Sequence, residues 1–387
     1  MTEKSGWSLL EGETIRARQQ RFGGHTNGFD YLRIGLAIAV VMHHSLVVTD
    51  QPLTEWLWTY WPRGFLATLL PAFFALSGFL VAGSLVKHVS LPAFIAMRVL
   101  RVVPALAVEV LLSAFIIGAF MTHLPLSSYF SSPLFWKYFL NIIGHIQYIL
   151  PGMFESNPFP DVMNQSLWTI PYEIDSYGWL VFLSLLGFVK NRRMLVAVIV
   201  LLSALGTAWL FIRFKPEWQE SPVDGRALVV AFLVGIALQY FGDRIRLNGW
   251  FALAAFLLGG LLLLDVRLSF FGIIPIAYTT IYLGLLNPPR RTWLLTGDYS
   301  YGLYLFAFPI QQAQVALMPG HASWGYNVLI ALIFGLVYAA FSWWVVEKPI
   351  LSKKKEAAAF ATRLWEAIAL LGTGLLRLRR FRSHRAE

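Results

Sequence analysis

The sequence predicts an all-α polytopic membrane protein with about ten transmembrane helices and both termini in the cytoplasm. Hydrophobic residues occupy 57% of the 387 positions and charged residues only 13%, whereas soluble proteins average about 25% charged residues. The apolar residues cluster into segments of roughly 17 to 25 residues, the length that crosses a bilayer. Short charged loops separate these segments, so we expect no large soluble domain within the bundle.

Eleven apolar segments are candidates for these helices, and the charges between them decide which ones cross. In chain order they cover residues 31–48, 65–86, 99–121, 134–150, 166–188, 194–213, 226–241, 249–264, 269–286, 297–318 and 325–346. Arginine and lysine clusters favour the cytoplasmic side of a membrane. Placing every cluster there requires an even number of crossings between successive clusters. This condition fails only between Arg101 and Lys190, where three segments intervene, so one of the three does not cross.

The segment at 134–150 is the weakest of these three candidates. It is short and carries Lys137, Asn141, His145 and Gln147. Such a segment suits a re-entrant or interfacial position better than a full crossing. We therefore predict one re-entrant or interfacial segment near 134–150 on the outer side, which leaves ten crossings.

Three regions are predicted along the chain: a cytoplasmic N-terminal tail over 1–30, a membrane domain over 31–350 and a basic cytoplasmic tail over 351–387. The N-terminal region has basic residues but no apolar stretch before a cleavage site, which is typical of a tail rather than a signal peptide. The C-terminal tail mixes leucine with arginine, so we expect an amphipathic helix bound to membrane lipid. The net charge of +10 then indicates orientation in the membrane rather than binding to nucleic acid.

Arg33 and His44, both in the first predicted helix, are candidates for chemistry. Eleven helical steps of 100° return to within about 20° of the start, so the two side chains share one face about 16 Å apart. His43 points about 80° away from that face. Ionisable groups inside a membrane span are functional candidates, and an imidazole suits proton transfer at neutral pH. The alternative is that both histidines are hydrogen-bonded structural residues.

Two charged pairs in other predicted helices are also candidates. Arg98 and Arg101 lie one turn apart at the inner end of the third helix, where guanidinium groups could bind phosphate in bidentate fashion or only anchor the helix at the inner surface. Glu173 and Asp175 enter the outer half of the fourth crossing. Carboxylates inside a membrane are costly unless they are paired or used, so these two either function or pair with a neighbouring helix.

Six motifs in order resemble those of the acyltransferase-3 family of integral membrane enzymes. The motifs are "FDYLRIGLAIAVVMHHS", "FFALSGFLVAGS", "RVLRVVP", "SLWTIPYEIDSY", "GDYSYGLYLFAFPIQQ" and "VEKP". Members of this family move acyl groups, often acetyl, from acyl-CoA onto sugars of extracytoplasmic glycans. The resemblance covers roughly residues 28 to 350, nearly the whole predicted membrane domain.

The resemblance implies roles for the charged residues already noted. The family's motif of arginine, ten residues and histidine falls on Arg33 and His44, its arginine pair on Arg98 and Arg101, and its acidic position on Glu173. We therefore expect Arg33, His44 and Glu173 to be catalytic, with His44 as the base that deprotonates the acceptor hydroxyl. The arginine pair is expected to bind the donor. An acyl-histidine relay across the bilayer is the rival mechanism.

Aromatic and acidic residues of the later motifs complete the expected site on the acceptor side. These residues are Trp168, Tyr172, Asp175, Tyr301 and Tyr304. Ser77 and Gly78 match the small-residue turn in the second helix of the family. One position departs from the family pattern, because many members have a histidine where this chain has Ala307. That departure affects the identity of the acceptor more than the chemistry.

The predicted function is a membrane O-acyltransferase that moves an acyl group, expected to be acetyl, from cytoplasmic acyl-CoA to a hydroxyl of an extracytoplasmic or lipid-linked glycan. Acyl-CoA is expected as a co-substrate, without a permanently bound cofactor or a metal, and the absence of cysteine excludes thiolate zinc sites. The expected location is the bacterial inner membrane. The alternative is a transporter or flippase for a glycan or lipid-linked intermediate, but the sequence has no clear repeat of the kind that many transporters share.

Overall fold

The computed structural model describes residues 11–24, 26–85, 90–217, 221–291 and 296–383. Three parts of the sequence analysis lie outside these ranges: residues 1–10 of the predicted N-terminal tail, the basic residue Lys87 between the second and third predicted helices, and the last four residues of the predicted C-terminal tail. The helices and strands named below therefore refer to the described ranges alone.

Helices make up most of the described chain. The first half contains α1 Ile15–Arg21, α2 Asn27–Thr49, α3 Gln51–Thr59, α4 Arg63–Leu66, α5 Leu69–Leu85, α6 Leu91–Leu112, α7 Ala119–Met121, α8 Leu126–Ser131 and α9 Pro133–Tyr138. The second half contains α10 Ile170–Leu185, α11 Arg192–Arg213, α12 Gly225–Tyr240, α13 Gly249–Leu262, α14 Ser269–Gly284, α15 Ser300–Leu317, α16 Trp324–Phe341, α17 Lys348–Ser352 and α18 Lys354–Ser383. Two short strands, β1 Glu11–Thr14 and β2 Arg246–Asn248, form an antiparallel pair.

Six helical stretches in the described ranges are long and apolar enough to cross a membrane. They are Asn27–Thr49, Arg63–Gly83, Leu91–Met121, Arg192–Arg213, Val266–Gly284 and Trp324–Ser352. The apolar helices α12 and α13 are shorter, with 16 and 14 residues. The predicted class, an all-α membrane protein, is confirmed. The number of ten crossings and the cytoplasmic position of both termini stay predictions.

The segment at 134–150 contains no helix long enough to cross. It forms most of α9 and a 3-10 helix at Phe139–Ile143, with six and five residues respectively. Gly144 follows with a φ of 81°, a left-handed conformation that glycine adopts without a Cβ clash. The backbone then continues without a helix to residue 150. A crossing needs about 20 helical residues, so this geometry agrees with the predicted re-entrant or interfacial position.

The predicted N-terminal tail is folded from Glu11 onward, which the sequence pattern did not indicate. Ile15 is fully buried, and Arg18 Nε donates a hydrogen bond to the Leu285 carbonyl at 3.1 Å. Thr26 Oγ1 donates to the Gly284 carbonyl at 2.6 Å. These contacts satisfy carbonyls at the end of α14, which has no further helical turn to bond them. They also fix the point at which α2 begins.

α5 and α12 approach each other closely at the centre of the bundle. A Cβ on Gly78 would collide with the backbone of Phe232, and a Cβ on Gly235 would collide with the backbone of Ala75. Small residues at a helix interface let two backbones pack at this distance in a membrane. Gly78 therefore has a packing role, and the adjacent Ser77 lies on the wall of the main cavity.

Asn164 replaces a hydrogen bond that a proline removes from α15. Pro309 lacks the N–H that would bond the carbonyl of Leu305. Asn164 Nδ2 donates instead to that carbonyl at 2.8 Å, and also to Glu109 Oε1 at 2.8 Å. An unpaired carbonyl inside a membrane is costly, so Asn164 stabilises the helix next to the proline. It also holds the 3-10 turn Gln165–Thr169, which leads into α10, against α6 and α15.

Candidate active site

A cavity of about 500 Å³ lies among α2, α5, α6, α10 and α15, with the C-terminal helices at its edge. Its polar and charged lining consists of Arg33, Ser77, Arg98, Arg101, Thr169, Glu173, Ser176, Tyr177, Asp298, Ser300, Tyr301, Tyr304 and Lys354. Six residues of the predicted site are in this lining: Arg33, Arg98, Arg101, Glu173, Tyr301 and Tyr304. The structure therefore brings together side chains that four separate motifs supply.

Two of the three arginines are paired with carboxylates from distant parts of the chain. Arg33 Nη1 lies 2.8 Å from Asp298 Oδ2, and Arg101 pairs with the same oxygen. Arg101 Nη1 also donates to Glu347 Oε2 at 2.8 Å, and only 2% of the Glu347 side chain is exposed. Pairing offsets the cost of burying these charges. The network connects α2 and α6 to the start of α15 and the end of the last long apolar stretch.

Arg98 differs from the other two arginines because the described residues offer it no ion pair. Its guanidinium carbon lies 5.7 Å from the ring centroid of Phe94 and 5.8 Å from that of Tyr177. Its Nε is buried and makes no hydrogen bond within the described chain. A buried donor without a partner costs free energy, which the cation–π contacts offset in part. Arg98 therefore has donors available for a ligand in the cavity.

The described lining carries more positive than negative charge. Its cations are Arg33, Arg98, Arg101 and Lys354, and its carboxylates are Glu173 and Asp298. The cations remain in excess when Glu347, which pairs with Arg101 without lining the cavity, is included. A concave site with excess positive charge attracts an anion, and a free guanidinium fork suits phosphate oxygens.

Glu173 and Tyr177 face the cavity from successive turns of α10. Tyr177 donates its hydroxyl to Glu173 Oε1 at 2.7 Å, and its ring contacts the guanidinium of Arg98. Tyr177 thus joins the carboxylate and the unpaired arginine. A carboxylate beside an anion-binding group can orient an acceptor hydroxyl or take its proton.

Tyr301 and Tyr304 hold α15 against its neighbours and form part of the cavity wall. Tyr301 donates its hydroxyl to the Val102 carbonyl at 3.2 Å, and its ring centroid lies 5.4 Å from the guanidinium carbon of Arg101. The Tyr304 hydroxyl lies 2.8 Å from Thr169 Oγ1. These bonds leave both tyrosines in fixed positions beside the ion-pair network.

His44 lies outside the lining of this cavity. Its ring centroid is 5.2 Å from that of Phe308, one turn beyond Tyr304 along α15. The ring of His43 instead lies 5.1 Å from that of Trp58 in α3, and His43 Nε2 is buried without a hydrogen bond to the described residues. The rings of the two histidines lie 5.7 Å apart, and each contacts a different helix. The predicted base lies one turn beyond the cavity.

Three residues predicted for the acceptor side also lie outside the lining. The rings of Trp168 and Tyr172 are 5.9 Å apart, and Tyr172 packs against the backbone of Gly225 at the start of α12. Asp175 is exposed, two residues after Glu173 and on another face of α10. These side chains lie near the N-terminal end of α10 and outside the cavity lining, and their role in acceptor binding stays a prediction.

Four residues of the site were not predicted from the sequence: Tyr177, Asp298, Glu347 and Lys354. The first three lie in the motifs "SLWTIPYEIDSY", "GDYSYGLYLFAFPIQQ" and "VEKP", so their signal was present. A motif does not say which charges pair, however, because pairing depends on which helix ends meet. Lys354 lies in the basic tail, where its charge is one of many.

Comparison with known proteins gives two matches and one negative result. Residues 26–348 match the acyltransferase domain of the acyltransferase-3 family. Over 356 residues the chain is 26% identical to an O-acetyl transferase of Shigella phage Sf6, an alignment that covers 85% of this chain and 97% of the phage protein. No solved structure matches the chain.

The fold and the site define a multi-pass membrane protein with a cavity suited to an anionic ligand. The family match extends from the residue before α2 to the first residue of α17, and so includes most of the residues that line the cavity. The chain belongs to the acyltransferase-3 family. The resemblance seen in its motifs is thereby confirmed, and the protein is a membrane acyltransferase.

Proposed function

We propose that the protein is an acyl-CoA-dependent O-acyltransferase that modifies a hydroxyl of an extracytoplasmic or lipid-linked glycan. Acetyl is the proposed acyl group, because the phage relative is named as an O-acetyl transferase. Acyl-CoA enters as a co-substrate from the cytoplasm, and the protein lies in the bacterial inner membrane. The family membership favours this function over the alternative of a transporter or flippase.

The unpaired Arg98 inside the cavity is the observation that carries the donor assignment. Acyl-CoA is a polyanion with phosphate groups, and a guanidinium binds phosphate through paired N–H donors. Arg33 and Arg101 already pair with carboxylates. The sequence predicted donor binding for both arginines of α6. We assign donor binding to Arg98 alone, and Arg101 holds the cavity walls together.

The reaction transfers an acyl group from a thioester to an alcohol. The acceptor oxygen attacks the thioester carbonyl carbon while a base takes the hydroxyl proton. Negative charge develops on the former carbonyl oxygen, and nearby cations and donors stabilise it. The intermediate then collapses with cleavage of the C–S bond. The CoA thiolate leaves and takes up a proton, and the ester stays on the acceptor.

His44 is the base that we propose, and Glu173 is the second candidate. His44 makes no hydrogen bond to the described residues, and its ring contacts Phe308, one turn beyond the cavity-lining Tyr304 on α15. Glu173 is favoured by its place in the cavity near Arg98. If His44 is the base, Glu173 orients the acceptor. If Glu173 is the base, a Glu173→Gln variant should lose transfer while a His44→Ala variant retains it.

Binding and turnover of acetyl-CoA by the purified protein test this function. Wild type is expected to bind acetyl-CoA and to transfer labelled acetyl to glycan extracted from its host. Arg98→Ala should weaken binding about tenfold or more, the effect of losing a charge-assisted contact. Arg193→Ala, an exposed arginine at the start of α11, is the matched control and should bind normally. Wild-type protein that does not bind acetyl-CoA would overturn the proposal.

A further inference from the structure

We propose that the basic C-terminal segment completes the donor site, with Lys354 binding a phosphate group of CoA at the edge of the cavity. This role rests on the proposed function, since it assumes that the cavity receives acyl-CoA. It assigns to the C-terminal segment a part in substrate binding in addition to its expected contact with lipid.

The position of the C-terminal helices supports this assignment. Leu351 at the end of α17 and Lys354 at the start of α18 both line the cavity that contains Arg98 and Glu173. α18 packs along α6, the helix that carries Arg98. The pairing of Ser90 Oγ with Thr362 Oγ1 at 2.6 Å joins the start of α6 to α18.

The charges in the cavity single out the same lysine. Arg33 and Arg101 are paired with carboxylates, whereas Lys354 is exposed and has no ion pair with the described residues. Lys354 and Arg98 are therefore the two cations of the described lining without an ion pair to a described residue. They lie on different helices, which suits a ligand with phosphate groups at separate positions. CoA has this chemistry, with a diphosphate and a separate ribose phosphate.

Lys355 provides a control for the effect of charge alone. It is the next residue in the same helix and is exposed like Lys354, but it does not line the cavity. Because successive helical residues point about 100° apart, the two lysines face different surroundings. If the basic tail only attracted anions in general, substitution of either lysine would lower the affinity for CoA equally.

Phosphate groups in this region could belong to CoA or to lipid head groups, and the test separates these sources. Full-length protein is placed in nanodiscs of zwitterionic lipid alone and, in parallel, of zwitterionic with anionic lipid. Affinity is measured for CoA and for pantetheine, which has no phosphate. The variants are Lys354→Glu, Lys354→Arg, Lys355→Glu and Arg98→Ala.

The expected result is a loss of CoA affinity of about three- to tenfold for Lys354→Glu in both lipid mixtures, the range of one accessible charged contact. Lys354→Arg and Lys355→Glu should bind CoA normally, and no Lys354 variant should change the affinity for pantetheine. Equal losses in Lys354→Glu and Lys355→Glu, or a loss seen only with anionic lipid, would overturn the inference. If wild type binds no CoA, the proposed function itself fails. If wild type and Lys354→Glu bind CoA equally well, only the inference about Lys354 fails.

Discussion

Arg98 and Arg101 lie one turn apart on α6, yet only Arg101 has carboxylate partners. Those partners, Asp298 and Glu347, are 197 and 246 positions away in the sequence. The spacing of the two arginines identified them as candidates, because guanidinium groups inside a membrane are costly and are therefore expected to be functional or paired. Their different roles depend on which helix ends meet, and no local pattern contains that information.

Substitution of each arginine should therefore have a different effect. Arg98→Ala should weaken acyl-CoA binding about tenfold or more with little change in thermal stability, and Arg98→Lys should restore binding only in part. Arg101→Ala removes the arginine that pairs with the buried Glu347 and leaves Asp298 with Arg33 alone, and breaking a buried pair typically costs about 3 to 5 kcal/mol. Its main effect should be a lower unfolding temperature. Ligand titration and thermal unfolding in detergent measure the two effects. Identical behaviour of the two alanine variants would contradict the separate roles of Arg98 and Arg101.

The two histidines of α2 should also separate by function. His44→Ala should lower acyl transfer about 100- to 10,000-fold, the usual effect of removing a general base, while CoA binding and membrane insertion persist. His43 packs on Trp58, so His43→Ala should act mainly through stability and retain substantial activity at matched expression. Transfer rates of both variants check this expectation. The reverse pattern would assign the base to His43, and two mild effects would indicate that both rings are structural.

At the scale of elements, the sequence predicted the long apolar helices well because hydrophobic length is a direct physical signal. Its predicted boundaries differ from the observed ones where contacts between distant segments decide them. β1 and α1 fold within the predicted tail because β1 pairs with β2 and because Arg18 of α1 donates a hydrogen bond to the Leu285 carbonyl at the end of α14. The hydrogen bond that compensates for Pro309 was not predictable either, since Asn164 donates to the Leu305 carbonyl from a distant segment.

Cysteine labelling tests the position of the 134–150 segment. The chain has no native cysteine, so Ser127→Cys and Glu155→Cys each introduce one thiol at an exposed site that flanks the segment. Both should react from the outer face with a membrane-impermeant reagent. Lys190→Cys should react only after permeabilisation. If Glu155→Cys behaves like Lys190→Cys, the segment crosses and the ten-crossing topology is wrong.

Asn164 should be important for the stability of α15 around Pro309. Replacement by alanine leaves the Leu305 carbonyl without its donor and removes one of the donors to the buried Glu109. Each loss is of a kind that costs about 1 to 3 kcal/mol, so a clear drop in unfolding temperature is expected. Thermal unfolding of Asn164→Ala in detergent measures this drop. An unchanged transition would mean that another group, such as water, satisfies the carbonyl.

At the scale of the whole molecule, an excess of cations lies at the cavity that the helices enclose. The predicted base, His44 on α2, contacts Phe308, which is one turn beyond the cavity-lining Tyr304 on α15. The excess of cations suits an anionic ligand, which agrees with the donor that we propose. The family, the membrane class and six residues of the cavity were predictable, because each leaves a signal in composition or in motif order. The ion pairs and the placement of the C-terminal helices were not, because they arise only when distant segments pack together.

The most direct test of acyl-CoA-dependent O-acylation is mass spectrometry of surface glycans from cells that differ only in this protein. Cells with wild type or with Arg193→Ala should carry glycan O-acetyl groups, seen as a mass increase of about 42 Da that mild base removes. Cells with Arg98→Ala at equal protein levels should show a marked decrease, because donor binding is weakened. Glycans of identical mass with and without the wild-type protein, or full acetylation with Arg98→Ala, would contradict the proposed reaction and its donor site.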